Sequence, residues 1–258
     1  MLKYPSLFSE LKVGNKKLKN RICLCATVTN FAQNNRITES WRNFLLERAR
    51  GGAAMLVTEV IAVDPEAIAQ SSTITGFNQT NEAGFRQIAD DVHEEDSLIV
   101  GQLWHPGRQQ LWHPTKSPIG VSDLPDPYSG TVPHVMKTEE VLRVAESYVN
   151  TATRLSDCGF DGVELHGAHG YLIMQFLSPA SNNREDMFGG GLEARTLFVR
   201  KIAEGIREKC RQDFIIGLKM PADEGVPGGV CPDEAARITK RLSKTGCFDY
   251  FAYGQGNF

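Results

Sequence analysis

The sequence predicts an α/β fold in which helices cover a parallel sheet. Six apolar segments that resemble β-strands alternate along the chain with helical patterns. The segments are predominantly apolar, as expected of strands that are buried on both faces of a parallel sheet. They span residues 21–27, 53–63, 97–103, 160–166, 213–220 and 248–254. Two architectures have this alternation of strands and helices, a (β/α) barrel and a doubly wound sheet.

The helices between these segments are predicted from apolar residues at helical spacing. The clearest helix spans residues 138–159. Its apolar positions, which recur every three or four residues, are Val141, Leu142, Ala145, Tyr148, Val149, Ala152 and Leu155. Further helices are predicted at 39–50, 81–95, 194–210 and 233–246. Glycine follows three of these helices directly before a strand, which suits a left-handed cap and a short connection.

Two long loops leave the carboxyl ends of the predicted strands. They span about residues 104–137 and 167–192. In parallel α/β folds this edge of the sheet carries the chemistry, and long loops in compact domains are usually functional. Near the N-terminus, LKVGNKKLKN predicts a small hairpin around Gly14 and Asn15. We expect this hairpin to close the opposite end of the sheet.

Composition limits the classes of partner and location. The formal net charge is -3 and the sequence contains no basic stripe, which argues against nucleic-acid binding. No apolar run approaches the roughly 20 residues of a membrane span, and no signal peptide is predicted. The six cysteines have no CxxC spacing and are expected to be reduced thiols in a cytoplasmic protein. A small-molecule substrate is expected, and the question of a homo-oligomer stays open.

Two imidazoles and a phenol follow the fourth predicted strand, in VELHGAHGYLIMQFLSP (163–179). A zinc site at His166 and His169 would need a third ligand, and HxxH lacks the glutamate of HExxH. Alternatively, both imidazoles hold a substrate oxygen that gains negative charge, while Tyr171 gives or takes a proton. A packed polar loop is the structural alternative, although three such groups at one strand end favour function.

Two further polar side chains lie at strand ends. Gln102 follows SLIVG, and its carboxamide suits a planar heterocycle that presents N–H and C=O side by side. The alternative is a core amide bonded to the backbone. Lys219 follows FIIGL, where burial requires an anion. That anion is either a ligand or one of two nearby carboxylates, Asp223 and Glu224.

The segment SPASNNREDMFGGGLEAR (178–195) contains three consecutive glycines, but neither GxGxxG nor GxxxxGK[ST] is present. The sequence therefore lacks a Rossmann or P-loop signature. We expect a tight loop whose polar groups satisfy one another. Within it, Arg184 and Asp186 are predicted to lock the loop rather than to act in catalysis.

Four segments together resemble the old yellow enzyme family of NADH:flavin oxidoreductases. They are LFSELKVGNKKLKNRI, QLWHPGR, VELHGAHGYLIMQFLSP and SNNREDMFGGGLEAR. HGAHGYL, which has two histidines rather than a His/Asn pair, is more similar to the branch of 2,4-dienoyl-CoA reductase and trimethylamine dehydrogenase. The resemblance implies a (β/α)8 TIM barrel, of which about six βα units are present. Residues 1–258 are thus expected to form an FMN-binding barrel domain that is incomplete at its C-terminus and truncated from a longer chain.

The resemblance also implies which residues contact FMN. The end of the first strand contacts the isoalloxazine ring of FMN. Gln102 forms hydrogen bonds with the pyrimidine edge of this ring, and Lys219 faces its N1/O2 side. The implied cofactor residues are Cys25, Ala26, Thr27, Val60, Gln102 and Lys219. The sequence departs from the family pattern at several positions, including Val28, which stands where a Thr, Cys or His would tune the flavin, and FGGGLEAR, which replaces the commoner FGGSLENR. Cys25-Ala26-Thr27 replaces the frequent Ala-Pro-Met, and Val60 replaces a small residue.

The implied activity is FMN-dependent transfer of hydride through flavin N5, between NAD(P)H and an activated alkene or similar acceptor. His166 and His169 would stabilise the enolate, and Tyr171 would protonate the α-carbon. One alternative is an amine dehydrogenase or demethylase of the same flavin family. Another is a truncated barrel fragment without catalysis. An iron–sulfur cluster is expected only if a longer natural chain supplies its cysteines.

Overall fold

A computed structural model describes residues 3–110 and 116–256. The strands are β1 (Leu11–Val13), β2 (Lys16–Leu18), β3 (Cys23–Leu24), β4 (Met55–Ala62), β5 (Ile74–Thr75), β6 (Leu98–Trp104), β7 (Ile119–Gly120), β8 (His134–Val135), β9 (Gly162–His166), β10 (Ile215–Asp223) and β11 (Tyr250–Gln255). The α-helices are α1 (Glu39–Arg50), α2 (Glu82–Glu94), α3 (Thr138–Asp157), α4 (Leu172–Leu177), α5 (Leu192–Arg195), α6 (Leu197–Lys209) and α7 (Pro232–Ser243). Among the described residues, no helix is both long and apolar enough to span a bilayer.

The main sheet has the winding of a barrel. Its strands lie in the order β3, β4, β6, β9, β10 and β11, and every pair is parallel. Short β5 adds to one end of β4. This order follows the chain without a reversal, whereas a doubly wound sheet reverses at its switch point. The predicted α/β class is confirmed, and the sheet is a curled, partial (β/α)8 barrel.

Apolar side chains fill both faces of the sheet. The larger cluster joins the helices to the outer face and includes Trp41, Phe85, Tyr148 and Phe198. A smaller cluster lies inside the curl and includes Met55, Val57 and Val100, together with Leu18 of the N-terminal hairpin. β1 and β2 form this hairpin with antiparallel pairing. As predicted, the hairpin closes the amino-terminal end of the sheet.

Two details of the prediction are wrong. The first strand spans only Cys23–Leu24, because from Cys25 onward the chain leaves β4 and is held by side-chain bonds. The loop after β9 contains α4, whose residues are all buried. On α3, Leu142 is 40% exposed, whereas Val144 is buried. Leu142 lies about 100° around the helix from Val141 and so falls beyond the buried stripe.

The predicted lock is present at the edge of the second long loop. Arg184 bonds Asp186 with Nε and Nη2, at 2.9 and 2.5 Å. Its Nη1 donates to the carbonyl oxygens of Val121 and Met136. Arg184 therefore ties the loop after β6 to the loop after β9. The bonds to Asp186 hold the pKa of that carboxyl at about 2.

Gly162 permits the close approach of β9 and β10, and Gly162→Ala is expected to destabilise the fold. A methyl group there would lie 2.4 Å from the carbonyl oxygen of Ile215. Overpacking of this kind costs about 1–3 kcal/mol, and here the backbone itself must move. Urea unfolding should show this loss in G162A, whereas the control G191A places its methyl group in open space. Equal stability of the two variants would contradict the close contact.

Candidate functional site

A cavity of about 490 Å³ lies at the carboxyl ends of the strands. Eight of the nine predicted site residues line it: Ala26, Thr27, Val60, Gln102, His166, His169, Tyr171 and Lys219. The ninth, Cys25, lines a neighbouring, largely apolar cavity of about 470 Å³. The two cavities share Ala26, His169 and Lys219. The structure therefore brings together all nine positions that the sequence singled out.

The turn after β9 packs the two imidazoles and the phenol against one another. The ring centroids of His166 and Tyr171 are 4.9 Å apart, and those of His166 and His169 are 5.1 Å apart. His169 has a φ of 59°, a conformation that non-glycine residues seldom adopt. Gly170 continues the turn with a φ of 76°. The turn reverses the chain, so Tyr171 lies at the start of α4 beside both histidines.

Burial keeps these three side chains uncharged. Burial, with the charges of His169 and Lys219, lowers the pKa of His166 well below its usual value. Burial and Lys219 also lower the pKa of His169, and burial raises the pKa of Tyr171. The Nδ1 atom of His166 accepts a hydrogen bond from the Ala168 amide at 3.4 Å. Its proton is therefore assigned to Nε2, which makes that nitrogen a donor.

The register of the sheet aligns the remaining predicted residues. Val60 of β4 pairs with Gln102 of β6, and Gln102 pairs with Glu164 of β9. On the other side of β9, His166 pairs with Lys219 of β10. After burial, the positive charge of Lys219 contributes to the lowered pKa values of both site histidines. Lys219 thus supplies positive potential to the cavity.

The structural alternative for Lys219 was an ion pair with Asp223 or Glu224. Asp223 instead accepts a hydrogen bond from the amide of Gly225. Glu224 accepts hydrogen bonds from the Ser178 hydroxyl at 2.6 Å and the Val230 amide at 2.8 Å. Lys219 itself lines both cavities.

Glu59, which the sequence analysis missed, anchors the segment after β3. Its Oε2 accepts from the Thr29 amide at 3.0 Å, and its Oε1 accepts from the Thr29 hydroxyl at 2.5 Å. A break in register between Val57 and Val60 marks a bulge in β4 at this point. Bulges commonly re-aim side chains next to active sites. The signal in the sequence was a carboxylate inside the apolar run MLVTEVIA.

Part of the cavity wall comes from the end of β6 and the loop that follows it, in residues that the sequence analysis did not single out. Trp104 packs edge-on against Tyr171, with ring centroids 5.2 Å apart. Asp126 Oδ2 accepts from the amides of Tyr128 and Ser129 and from the Ser129 hydroxyl, at 2.7–3.1 Å. This turn holds Tyr128 at the rim, where its side chain is 70% exposed. Asp-Pro-Tyr-Ser-Gly is a turn pattern that could have indicated it.

A second polar cluster lies behind β6. Among the described residues, Asp64, Glu66 and His105 are a group of potential metal ligands, with ligand atoms within 4.8 Å of one another. Arg143 already pairs with Asp64 at 2.7 Å and with Glu66 at 3.1 Å. His105 Nδ1 accepts from the Gly107 amide at 3.0 Å, so its proton lies on Nε2. The cluster is therefore a partly exposed ion pair beside a buried, neutral imidazole.

His105 should make the fold less stable in mild acid. Burial lowers its pKa to about 4, against about 6.5 in an unfolded chain. Between these values the unfolded chain binds a proton that the folded chain does not. Stability therefore falls as the pH drops through this window, by up to about 1.4 kcal/mol per pH unit. Urea unfolding at neutral and mildly acidic pH should show a weaker pH dependence in His105→Gln. Equal pH dependence in both proteins would contradict the assignment.

The donors and surfaces of the joined cavities fit a flavin. Each volume lies within the range of about 300–1,000 Å³ typical of ligand pockets. The larger cavity offers apolar surface from Ala26, Val60 and Trp104, which suits a flat aromatic ring. Gln102 offers a carboxamide in the same cavity, and Lys219, which lines both cavities, offers a cation. These are the contacts that the pyrimidine side of such a ring requires.

The amino-acid sequence of the chain is similar to one protein family and to several known proteins. Residues 6–247 match the family described as the NADH:flavin oxidoreductase / NADH oxidase family. An NADH oxidase of Thermoanaerobacter brockii is 35% identical over 95% of this chain and 38% of its own length. An N,N-dimethylglycine/sarcosine dehydrogenase of Chromohalobacter salexigens is 30% identical over 96% of this chain and 36% of its own.

A solved structure is similar to this chain in its fold. The complex of 2-naphthoyl-CoA reductase with 2-naphthoyl-CoA superimposes with a TM-score of 0.92 and 26% identity. The match covers 98% of this chain and 41% of the reductase. The chain thus spans less than half the length of each of these three proteins. The similarity confirms the barrel class that the strand order indicated.

Proposed function

The chain belongs to the NADH:flavin oxidoreductase / NADH oxidase family, and on this premise we propose that it carries the FMN site of a cytoplasmic oxidoreductase. The proposed reaction moves hydride from NAD(P)H to an activated alkene or a similar acceptor. One observation carries the proposal. Gln102 and Lys219, which suit a flavin, share one cavity with His166, His169 and Tyr171, which suit an acceptor oxygen and a proton.

Residues 1–258 would form the FMN-binding barrel domain of this enzyme. The residues that would hold the flavin are Cys25, Ala26, Thr27, Val60, Gln102 and Lys219. When bound, FMN would supply the hydride chemistry through its N5 atom. The chain supplies position and charge. Glu59, through its two bonds to Thr29, would hold the segment that carries Thr27 in place.

The His pair would bind the acceptor oxygen. A neutral imidazole with its proton on Nε2 donates one hydrogen bond, and two such donors aimed at one oxygen stabilise negative charge that develops there. Tyr171 lies beside both rings and retains its proton because burial raises its pKa. It would therefore serve as the general acid that protonates carbon.

A second candidate is oxidation or demethylation of an N-methylated amino acid. The same two donors, with the charge of Lys219, would suit the carboxylate of such a substrate. This candidate is also supported by the name of the Chromohalobacter salexigens relative. In this case the reductant of FMN would be the amine rather than NAD(P)H.

Anaerobic reduction of the FMN-loaded chain separates these functions. We expect NADH or NADPH to bleach the flavin colour and an enone to restore it. Bleaching by dimethylglycine or N-methylproline, with no response to either nicotinamide, would favour amine oxidation. A chain that takes up no FMN would instead be a barrel fragment without catalysis, and would refute both enzymatic proposals for this chain.

A further inference from the structure

Glu164 is a buried carboxylate to which the proposed reaction assigns no role. It lies on β9, two residues before His166, and is 4% exposed. Its Oε1 accepts a hydrogen bond from Gln102 Nε2 at 2.7 Å. Its Oε2 accepts from the hydroxyl of Tyr250, on β11, at 3.0 Å. Each carboxylate oxygen therefore has a donor, and the two donors come from different strands.

Tyr250 reaches this carboxylate because the intervening strand has a glycine there. Gly217 of β10 pairs with Tyr250 on one side and with Glu164 on the other. A methyl group at Gly217 would lie 2.1 Å from the Tyr250 ring. The absence of a side chain lets the ring cross β10. The Gly217–Tyr250 pairing thus fixes the second donor of Glu164.

The carboxylate determines which end of the Gln102 amide faces the cavity. An ionised carboxylate only accepts hydrogen bonds, so the amide must turn its nitrogen toward Glu164. Gln102 then retains its oxygen and one N–H for a ligand. These groups complement a ring edge on which an N–H lies beside a carbonyl. Burial raises the pKa of Glu164, while its two donors and the charge of Lys219 oppose this effect.

We propose that Glu164, held by Tyr250, is a positioning residue that sets the orientation of the Gln102 carboxamide for the pyrimidine edge of FMN. The inference rests on the proposed function, since it assumes that Gln102 meets the flavin. It assigns Glu164 no contact with the reacting atoms. Its effect on FMN should therefore pass through Gln102 alone.

Two measurements test the inference separately from the proposed function. The first needs no flavin. In NMR spectra of the protein without FMN, one side-chain amide proton of Gln102 should be shifted downfield and protected from exchange. Glu164→Met, which removes the acceptor, should remove both features. The second is FMN affinity, measured by fluorescence titration. E164M should weaken it about tenfold, the effect of one lost hydrogen bond.

Control variants distinguish positioning from a general loss of structure. In a Gln102→Ala background, E164M should have no further effect on FMN affinity, because the residues act as a unit. Y250F removes the hydroxyl and should lower affinity in the same direction. Glu224→Met alters another buried carboxylate, which accepts from Ser178 and Val230 and lines neither cavity, and should leave FMN affinity unchanged.

The outcomes are distinct. Unchanged Gln102 signals in E164M, or additive losses of affinity in the double variant, would overturn the positioning role. Restrained Gln102 signals in a protein that binds no FMN would instead refute the proposed function. Glu164 would then be a structural acceptor alone.

Discussion

Replacing His166 and His169 together with Ala is expected to weaken the binding of phenols at least a hundredfold while FMN stays bound. Phenolates bind where an acceptor oxygen would bind, so they report on the two imidazole donors. Hydrogen bonds to a charged group contribute about 1.5–3 kcal/mol each. Losing two of them predicts a loss of about 10²–10⁴-fold in affinity. The charge-transfer absorbance that forms between a phenolate and the flavin measures this affinity.

The matched control is His134→Ala. His134 is a half-exposed histidine that pairs with Glu140 on the surface, away from both cavities. It should leave phenol binding unchanged. Flavin loss in the double variant would count against the two histidines as substrate ligands, because it would place them among the cofactor contacts.

Tyr171→Phe is expected to slow alkene reduction by about 10²–10⁴-fold, the usual contribution of a general acid. Reduction of the flavin by NAD(P)H should be unchanged, because that step needs no proton from Tyr171. Phe retains the ring that packs against Trp104 and His166. Stopped-flow measurement of the two half-reactions separates these effects. Tyr4→Phe, which alters an exposed tyrosine, is the control.

An equal loss in both half-reactions of Y171F would contradict the assigned role. It would indicate that the hydroxyl supports the shape of the cavity rather than proton transfer. Full alkene reduction in Y171F would identify another proton source. In that case His166 or His169, whose rings lie 4.9 and 6.4 Å from Tyr171, would be the next candidate.

The sheet could be predicted because its strands are continuous apolar runs. Residues 53–63 and 97–103 differ from β4 and β6 by one or two positions at each end. The shared cavity followed from the rule that parallel strands end at one edge, which brought Gln102, His166 and Lys219 together. These features depend on local pattern and on chain direction, both of which the sequence contains.

The remaining features depend on partners that are distant in the chain. Cys25 leaves the sheet although its neighbours are apolar, because the segment is bound by Glu59, 30 residues beyond Thr29. The carboxylate of Glu164 bonds residues 62 and 86 positions away in the chain. No local pattern indicates such pairs, although a carboxylate within an apolar strand shows that a partner is required.

The visible absorption spectrum of the purified chain, with and without added FMN, tests the central claim most directly. We predict the spectrum of a protein-bound flavin. Gln102 and Lys219 are expected to hold the pyrimidine edge of that flavin. Q102A and Lys219→Ala should then each shift the bands or weaken binding. A colourless protein that leaves added FMN unchanged in the spectrum would contradict the claim that these 258 residues carry the flavin site.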